Sequence, residues 1–324
     1  MDMHRRDFLK SLAVLAAAGI APAAAAAGRE AFTVYGAPAL PSMTIAVAAL
    51  QGRLAKQADV SLQIWRSPDQ LRAGVAGGQY KVMMSPSNVG ANLRNQGRKI
   101  GMVNILTNGI IQLVGKKSLP RPQDLAGKKI LIPFKNDMPD IVFQALMKKL
   151  NIDTGKIGIS YAATPAEAVG LFLGKDYDAV LMPEPMASAC ILKGKTVGVN
   201  VVRGFDIVKE WGQAFGTKPL IPMAGLIADT DYFQSHKAQM ELFHQDLKAA
   251  LAWMMSNRQS AAKIGKNYLP APEPALVMGL DGARLTVSKS SEIKNEILHF
   301  YEILMRFNPK LLGGKIPDDS FFLL

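Results

Sequence analysis

The sequence predicts an α/β protein of two lobes, each a mostly parallel sheet flanked by helices. Three observations predict it. Shifting the 324-residue chain by 97 positions brings two segments into register without a gap: Ser67-Pro68-Asp69-Gln70 falls on Thr164-Pro165-Ala166-Glu167, Gly77 on Gly174, Tyr80 on Tyr177 and Pro86 on Pro183. Each segment reads strand–helix–strand–helix–strand, the order that yields parallel strands joined by covering helices. Beyond residue 204 that alternation gives way to longer amphipathic helices. Identity between the copies is low, so the repeat establishes a shared architecture rather than shared ancestry.

The first copy opens with Phe32-Thr33-Val34-Tyr35 and the second with Ile130-Leu131-Ile132. Both are short apolar runs, bounded by Gly36 and Pro133, as suits strands buried on both faces. A helix follows each, over 45–55 and 141–150, the second with apolar residues at 141, 142, 145, 146 and 150. Second strands are expected over 60–65 and 157–162. Ser67 and Thr164 then read as N-caps with Pro at the first helical position, and Thr164-x-x-Glu167 completes a capping box. These helices end near Gly77-Gly78 and Gly174. Third strands follow at Val82-Met83-Met84 and Ala179-Val180-Leu181.

After residue 204 the pattern predicts a loop and then a strand over 211–223, continued by Ala224-Gly225-Leu226-Ile227. Ser235 is expected to cap a long helix to residue 257, with further helices over 260–268, 273–279 and 291–307. This part should pack back on the first copy, the chain crossing between lobes near 107–114 and 219–225. The expected organisation is therefore 1–27 an export signal, 28–112 and 222–324 the first lobe, and 113–221 the second.

The leader is legible from its order of charges. Arg5-Arg6-Asp7-Phe8-Leu9-Lys10 precedes an Ala/Leu-rich run over 11–26, a charged region followed by an apolar one of signal-peptide length. The run is shorter than the ~20 residues a spanning helix needs. Arg-Arg-x-Phe-Leu-Lys resembles the twin-arginine export signal, which carries folded proteins across the membrane; the alternative is an ordinary secretory signal with two arginines. Cleavage is expected near Ala25-Ala26-Ala27, and no cysteine stands there to take a lipid. Cys190 is the single cysteine, so no internal disulfide exists. It sits among small residues at helical spacing, as a buried structural thiol does.

The net charge of +12 is barely touched by removal of the leader, which carries Arg5, Arg6 and Lys10 against Asp2 and Asp7. A basic balance suits nucleic acid, an acidic surface or an anionic ligand. Here the lysines are scattered in pairs such as Lys116-Lys117 and Lys148-Lys149, with no basic tract interleaved with aromatics, so no nucleic-acid partner is expected.

Ligands of open α/β sheets bind beyond the carboxyl ends of the strands, where helix N-termini offer free N–H groups. That rule selects the first-strand loops, 36–42 and 134–139, and the third-strand loops, Ser85-Pro86-Ser87-Asn88 and Met182-Pro183-Glu184-Pro185. Taken singly, each of these residues also fits an ordinary turn. Catalytic patterns are poorly supported: His236, His244 and His299 have no metal-ligand spacing, and no nucleotide-binding or nucleophile-elbow motif is present. The Met pairs 83–84 and 254–255 read as core. No cofactor is expected.

Pro122-Gln123-Asp124-Leu125-Ala126-Gly127-Lys128-Lys129-Ile130, and Gly174-x-x-Tyr177-Asp178-Ala179-Val180 followed by Pro183-Glu184-Pro185, resemble the nitrate/sulfonate/taurine-type and thiamine-pyrimidine-type substrate-binding proteins of ABC importers. The resemblance covers nearly all of the mature chain. It implies a two-lobed type II periplasmic-binding-protein-like fold, a periplasmic location, a small polar ligand held between the lobes, a membrane permease as partner, a monomer, and binding rather than catalysis. Carried onto this chain, the expected ligand contacts are Pro41, Ser42, Ser85, Ser87, Asn88, Asn136, Asp137 and Glu184. Two departures stand out: Lys81 where the pattern usually has an acid, and the apolar, Pro-rich stretch Gly36-Ala37-Pro38-Ala39-Leu40-Pro41. A periplasmic enzyme exported folded, and a ligand-sensing partner of a membrane signalling protein, are the competing readings.

Overall fold

Residues 29–324 are described by the structure, a computed structural model. The leader and its cleavage site lie outside the described residues. Two sheets organise the rest. In the first copy β1 (Ala31–Gly36) is followed by α1 (Pro41–Gln51), β2 (Asp59–Ile64), α2 (Pro68–Ala76), β3 (Val82–Pro86) and α3 (Ser87–Asn95). After β4 (Ile100–Met102) and β5 (Asn104–Thr107) the chain leaves the first sheet for β6 (Ile111–Gly115). The second copy then runs β7 (Lys129–Pro133), α4 (Met138–Lys149), β8 (Gly158–Ala162), α5 (Pro165–Gly174), β9 (Ala179–Pro183), α6 (Met186–Thr196) and β10 (Val202–Arg203).

The two copies share one topology. β1 lies parallel between β2 and β3, and β7 lies parallel between β8 and β9. Beside each third strand lies an antiparallel strand that begins just after a crossing: β6 beside β9, and β11 (Ala224–Asp229) beside β3. The sheet orders are β12-β5-β11-β3-β1-β2, where β12 is Leu285–Lys289 and β4 pairs with β11, and β10-β6-β9-β7-β8. Val82, Met83 and Met84 of β3 and Ala179, Val180 and Leu181 of β9 are all buried, as central strands covered by helices on both faces must be. The crossings run side by side at 107–110 and 216–223, tied by Ile221 N donating to Asn108 O (3.0 Å) and Met223 N to Thr107 O (3.1 Å). Beside the crossings, Gly225 lets β11 approach β5 closely: a Cβ there would sit 1.8 Å from Asn104 O.

The C-terminal segment does pack back on the first sheet. α9 (Lys237–Ser256) lies along α1, and Phe243 packs on Phe32 of β1 with ring centroids 5.2 Å apart. α10 (Arg258–Gly265), α11 (Glu273–Gly282), β12 (Leu285–Lys289) and α12 (Lys294–Phe307) complete it. Among the described residues no helix is long and apolar enough to cross a membrane.

Three local expectations need correction. The segment read as a loop from 211 holds α7 (Ile207–Phe215), capped by Asp206, whose carboxylate accepts from Val208 N and Lys209 N, and closed by Gly216 in the left-handed region. Ser235 caps no helix. It ends the short α8 (Thr230–Ser235), its hydroxyl donating back to the carbonyls of Asp231 and Tyr232, and the long helix starts at Lys237. β12 was not foreseen; its half-buried residues give no clean alternation.

Candidate functional site

The carboxyl ends of β1, β2 and β3 face those of β7 and β9 across the crossings, and a cavity of about 90 Å³ lies between them. The first lobe contributes Ala37, Ala39, Trp65, Met84, Ser85 and Val89, the crossings Ile110 and Met223, and the second lobe Phe134, Asp137, Met138 and Pro183. Its wall is apolar almost throughout. Trp65 is fixed by its indole N–H, which donates to Met84 O at 3.1 Å.

Two conformations in the loop after β7 are unusual. Phe134 (φ 59) and Asn136 (φ 63) both occupy the left-handed region. Asn tolerates it; for Phe it costs on the order of 1–3 kcal/mol. The turn is held by Asp137 N donating to Phe134 O (3.0 Å) and Asn136 N donating to the buried Asp140 carboxylate (3.0 Å). This geometry presents Phe134 to the cavity.

One ion pair joins the lobes at the cavity's edge: Arg72 Nη2 lies 2.9 Å from Asp137 Oδ1. Asp137 is the N-cap of α4, yet its side chain makes no capping bond and reaches across the cleft instead. Burial raises the Asp137 carboxyl above its ordinary pKa, against the opposing pull of Arg72. Beyond this pair lies a second, more polar groove of about 310 Å³, lined by Asn88, Asn92, Arg98, Asn136 and Lys310. Asn88 is buried there with its side-chain oxygen unpartnered.

Of the residues the sequence singled out, Ser85 and Asp137 line the cavity and Asn88 and Asn136 line the outer groove. Pro41 starts α1 and is buried beneath the first-strand loop. Three hydroxyls are turned onto the backbone: Ser42 Oγ donates to Ala37 O (2.6 Å), Ser85 Oγ to Pro86 O (3.0 Å) and Ser87 Oγ to Pro222 O (2.6 Å). Glu184 is fully buried behind Pro183. Its Oε1 lies 2.6 Å from Arg203 Nη2, and its Oε2 accepts from Ser188 N (3.1 Å) at the start of α6. The carboxylate expected to contact a ligand is therefore paired with a residue of the chain. Lys81 pairs with Asp229 (3.3 Å), outside the cleft.

Sequence reasoning missed Trp65 and Arg72, and it selected the loop that begins at Phe134 without naming that residue as a contact. Trp65 was within reach, since the strand-end rule that selected the first- and third-strand loops applies equally to the end of β2. Arg72, by contrast, sits on a helix face whose partner is 65 residues away.

Residues 2–22 match the family of the TAT (twin-arginine translocation) pathway signal sequence. The leader is thus a twin-arginine signal, and the chain is exported to the periplasm. Among solved structures the described fold is similar to an ABC transporter protein from Parabacteroides distasonis (TM-score 0.73, 16% identity, 90% of this chain and 98% of that one). It is also similar to the periplasmic aliphatic sulphonate binding protein SsuA from Escherichia coli (0.65, 18%, 88% and 96%). A third likeness is the alkanesulfonate-binding protein SsuA from Xanthomonas axonopodis pv. citri bound to MOPS (0.62, 17%, 90% and 96%). A comparison with curated sequences finds no match. At these identities the likeness is one of fold: two α/β lobes of the type II periplasmic-binding kind.

Proposed function

We propose that this chain is the solute-binding component of an ABC importer, capturing a small molecule between its lobes and handing it to a membrane permease. The observation that carries the reading is the cavity: it lies between the strand ends of both sheets and beside both crossings. A site so placed widens as the lobes part about the crossings and tightens as they close, which is what hinge closure on a ligand requires. The ligand contacts we assign are Trp65, Met84, Ser85, Phe134 and Asp137, with Arg72–Asp137 closing the edge. The solved relatives of like fold are named for transport and for sulfonate binding, which fits the role.

Binding rather than catalysis fits the titratable groups. Burial pushes the Cys190 thiol up to about 12, so no thiolate is available as nucleophile. Burial together with Lys248 and Lys289 brings His244 down to about 4, and it lies in α9, away from the cavity. We further propose that the protein acts as a monomer.

The test is closure. On adding ligand the radius of gyration from solution scattering falls, and stability rises by about 2.7 kcal/mol at ~100 times the dissociation constant. Stabilisation by a bound compound without compaction would overturn the two-lobe mechanism.

A further inference from the structure

We infer that the cleft selects a neutral, predominantly apolar small molecule and rejects oxyanions. This rests on the proposed solute-binding role and names the ligand class of that site. An oxyanion in a cleft of this architecture needs free helix N-terminal amides or an unpaired cation. At both second-lobe helices and at two first-lobe amides, groups that would supply them are already engaged by the chain itself.

In the second lobe each cleft-facing helix starts on a carboxylate. At α6 the Glu184 side chain accepts from Ser188 N (3.1 Å). At α4 the buried Asp140 takes the Asn136 amide (3.0 Å), and Asp137 stands at the N-cap itself. A second anion brought to either helix would meet a fixed negative charge. In the first lobe two amides beside the strand ends are engaged: Leu40 N donates to Glu184 O (3.1 Å), and Ser87 N to Met223 O (3.0 Å). The hydroxyls of Ser42, Ser85 and Ser87 direct their protons at carbonyls.

The cations are matched as well. Arg72 is held by Asp137 and Arg203 by Glu184, so neither pair presents net charge to the cavity. Arg98 and Lys310 lie in the outer groove, beyond Arg72 and Asp137. What remains facing the inner cavity is Trp65, Met84, Phe134, Met138 and proline rings. An anion placed there would lose its hydration without gaining donors, whereas an apolar group loses nothing. At about 90 Å³ the cavity is smaller than the ~150 Å³ in which an apolar site takes benzene, so a ring-sized ligand is admitted as the lobes part.

Matched probes test this on the mature chain by calorimetry: n-butanol against butane-1-sulfonate, and benzyl alcohol against benzenesulfonate. The neutral member of each pair should bind at least about tenfold tighter than its anion. Ala39→Phe, which fills the cavity from its wall, should abolish that binding while leaving the melting temperature of the free protein within a few degrees. Sulfonates binding as tightly as the alcohols or tighter, with compaction on binding, would overturn the ligand class and leave the solute-binding role standing. Neutral probes binding equally well to the Ala39→Phe protein would overturn the assignment of the cavity. No binding by any of the four probes, up to millimolar concentration, would overturn the inference. The role itself is then judged by whether a small molecule released from the purified protein by denaturation, and identified by mass spectrometry, rebinds and compacts it.

Discussion

The third-strand loops of the two lobes occupy equivalent places and solve the same problem with opposite chemistry. β3 ends in Ser85-Pro86-Ser87, where every polar contact is neutral: Ser87 Oγ donates to Pro222 O (2.6 Å), and Ser87 O accepts from the buried Tyr301 hydroxyl (2.8 Å). β9 ends in Pro183-Glu184, where a fully buried carboxylate is held by Arg203 and by the first turn of α6. The difference follows from what covers each loop. The first is covered by the returning crossing, whose carbonyls need donors. The second is covered by α11, whose Gly279 and Gly282 come so close that a Cβ on Gly282 would sit 2.7 Å from Glu184 Oε1. Backbone topology is thus repeated, while side-chain chemistry is set by the neighbour that only one copy has.

That contrast is broken most severely at Arg203. Removing one partner of a buried pair leaves the other uncompensated, so Arg203→Ala should lower unfolding stability by ~3–5 kcal/mol. Glu184→Gln should cost less, about 1–2 kcal/mol, because Arg203 is a third exposed and keeps Gln112 (3.0 Å) and Ser188 (2.9 Å). Ser87→Ala, in the neutral loop, should cost ~1 kcal/mol. Urea unfolding ranks the three; Arg203→Ala no worse than Ser87→Ala would show that the charged loop is not held by its pair.

The same comparison explains what could be read from the sequence. Strand order, caps and helix ends were legible because they depend on residues within a few positions: Ser67 and Thr164 are N-caps, and Gly77 closes α2. The rule for strand ends placed Ser85 and Asp137 at the cavity. It could not tell that Ser42 and Ser87 face the backbone, since their acceptors belong to carbonyls that any residue carries. Nor could it pair Glu184 with Arg203, or Arg72 with Asp137, because charge partners across a fold leave no periodic trace. The apolar, Pro-rich first-strand loop was visible as a departure, and the structure puts Ala37 and Ala39 in the cavity wall.

A second asymmetry lies in the cores. The first sheet buries an imidazole: His244 Nδ1 lies 3.3 Å from Asn104 Nδ2, whose carboxamide oxygen accepts from Leu226 N, while Nε2 has no partner. Lys248, Lys289 and Glu292 are the charged groups that act on it. Its pKa is lowered from 6.5 to about 4, chiefly by burial. The unfolded chain therefore takes up a proton below pH 6.5 that the folded chain accepts only near pH 4. Stability is flat above that window and falls through it as pH drops, by on the order of 3 kcal/mol in all. His244→Leu should remove this part of the acid slope when urea midpoints are compared between pH 7 and pH 4. An unchanged slope would locate the acid sensitivity in carboxylates instead.

The smallest contrast is the finest test of the repeat, because it exchanges single atoms at matched sites. Ser67 Oγ accepts from Gln70 N (3.2 Å), and Gln70 Oε1 accepts from Arg66 N (2.7 Å). Thr164 Oγ1 accepts from Glu167 N (3.1 Å), and Glu167 Oε2 accepts from Ala163 N (2.8 Å). Both are reciprocal caps of one geometry, neutral in the first lobe and charged in the second. A carboxylate near a helix N-terminus gains ~0.3–1 kcal/mol over an amide from the partial positive charge there. Gln70→Glu should therefore stabilise and Glu167→Gln destabilise, by similar amounts and with opposite sign. The gain from Gln70→Glu is trimmed by the adjacent Asp69 and supported by Arg66. In about 1 M salt, where screening acts over roughly 3 Å, both differences should shrink toward zero. Substitutions that cost stability in both lobes, or that ignore salt, would mean that the two caps differ in geometry and not in charge alone.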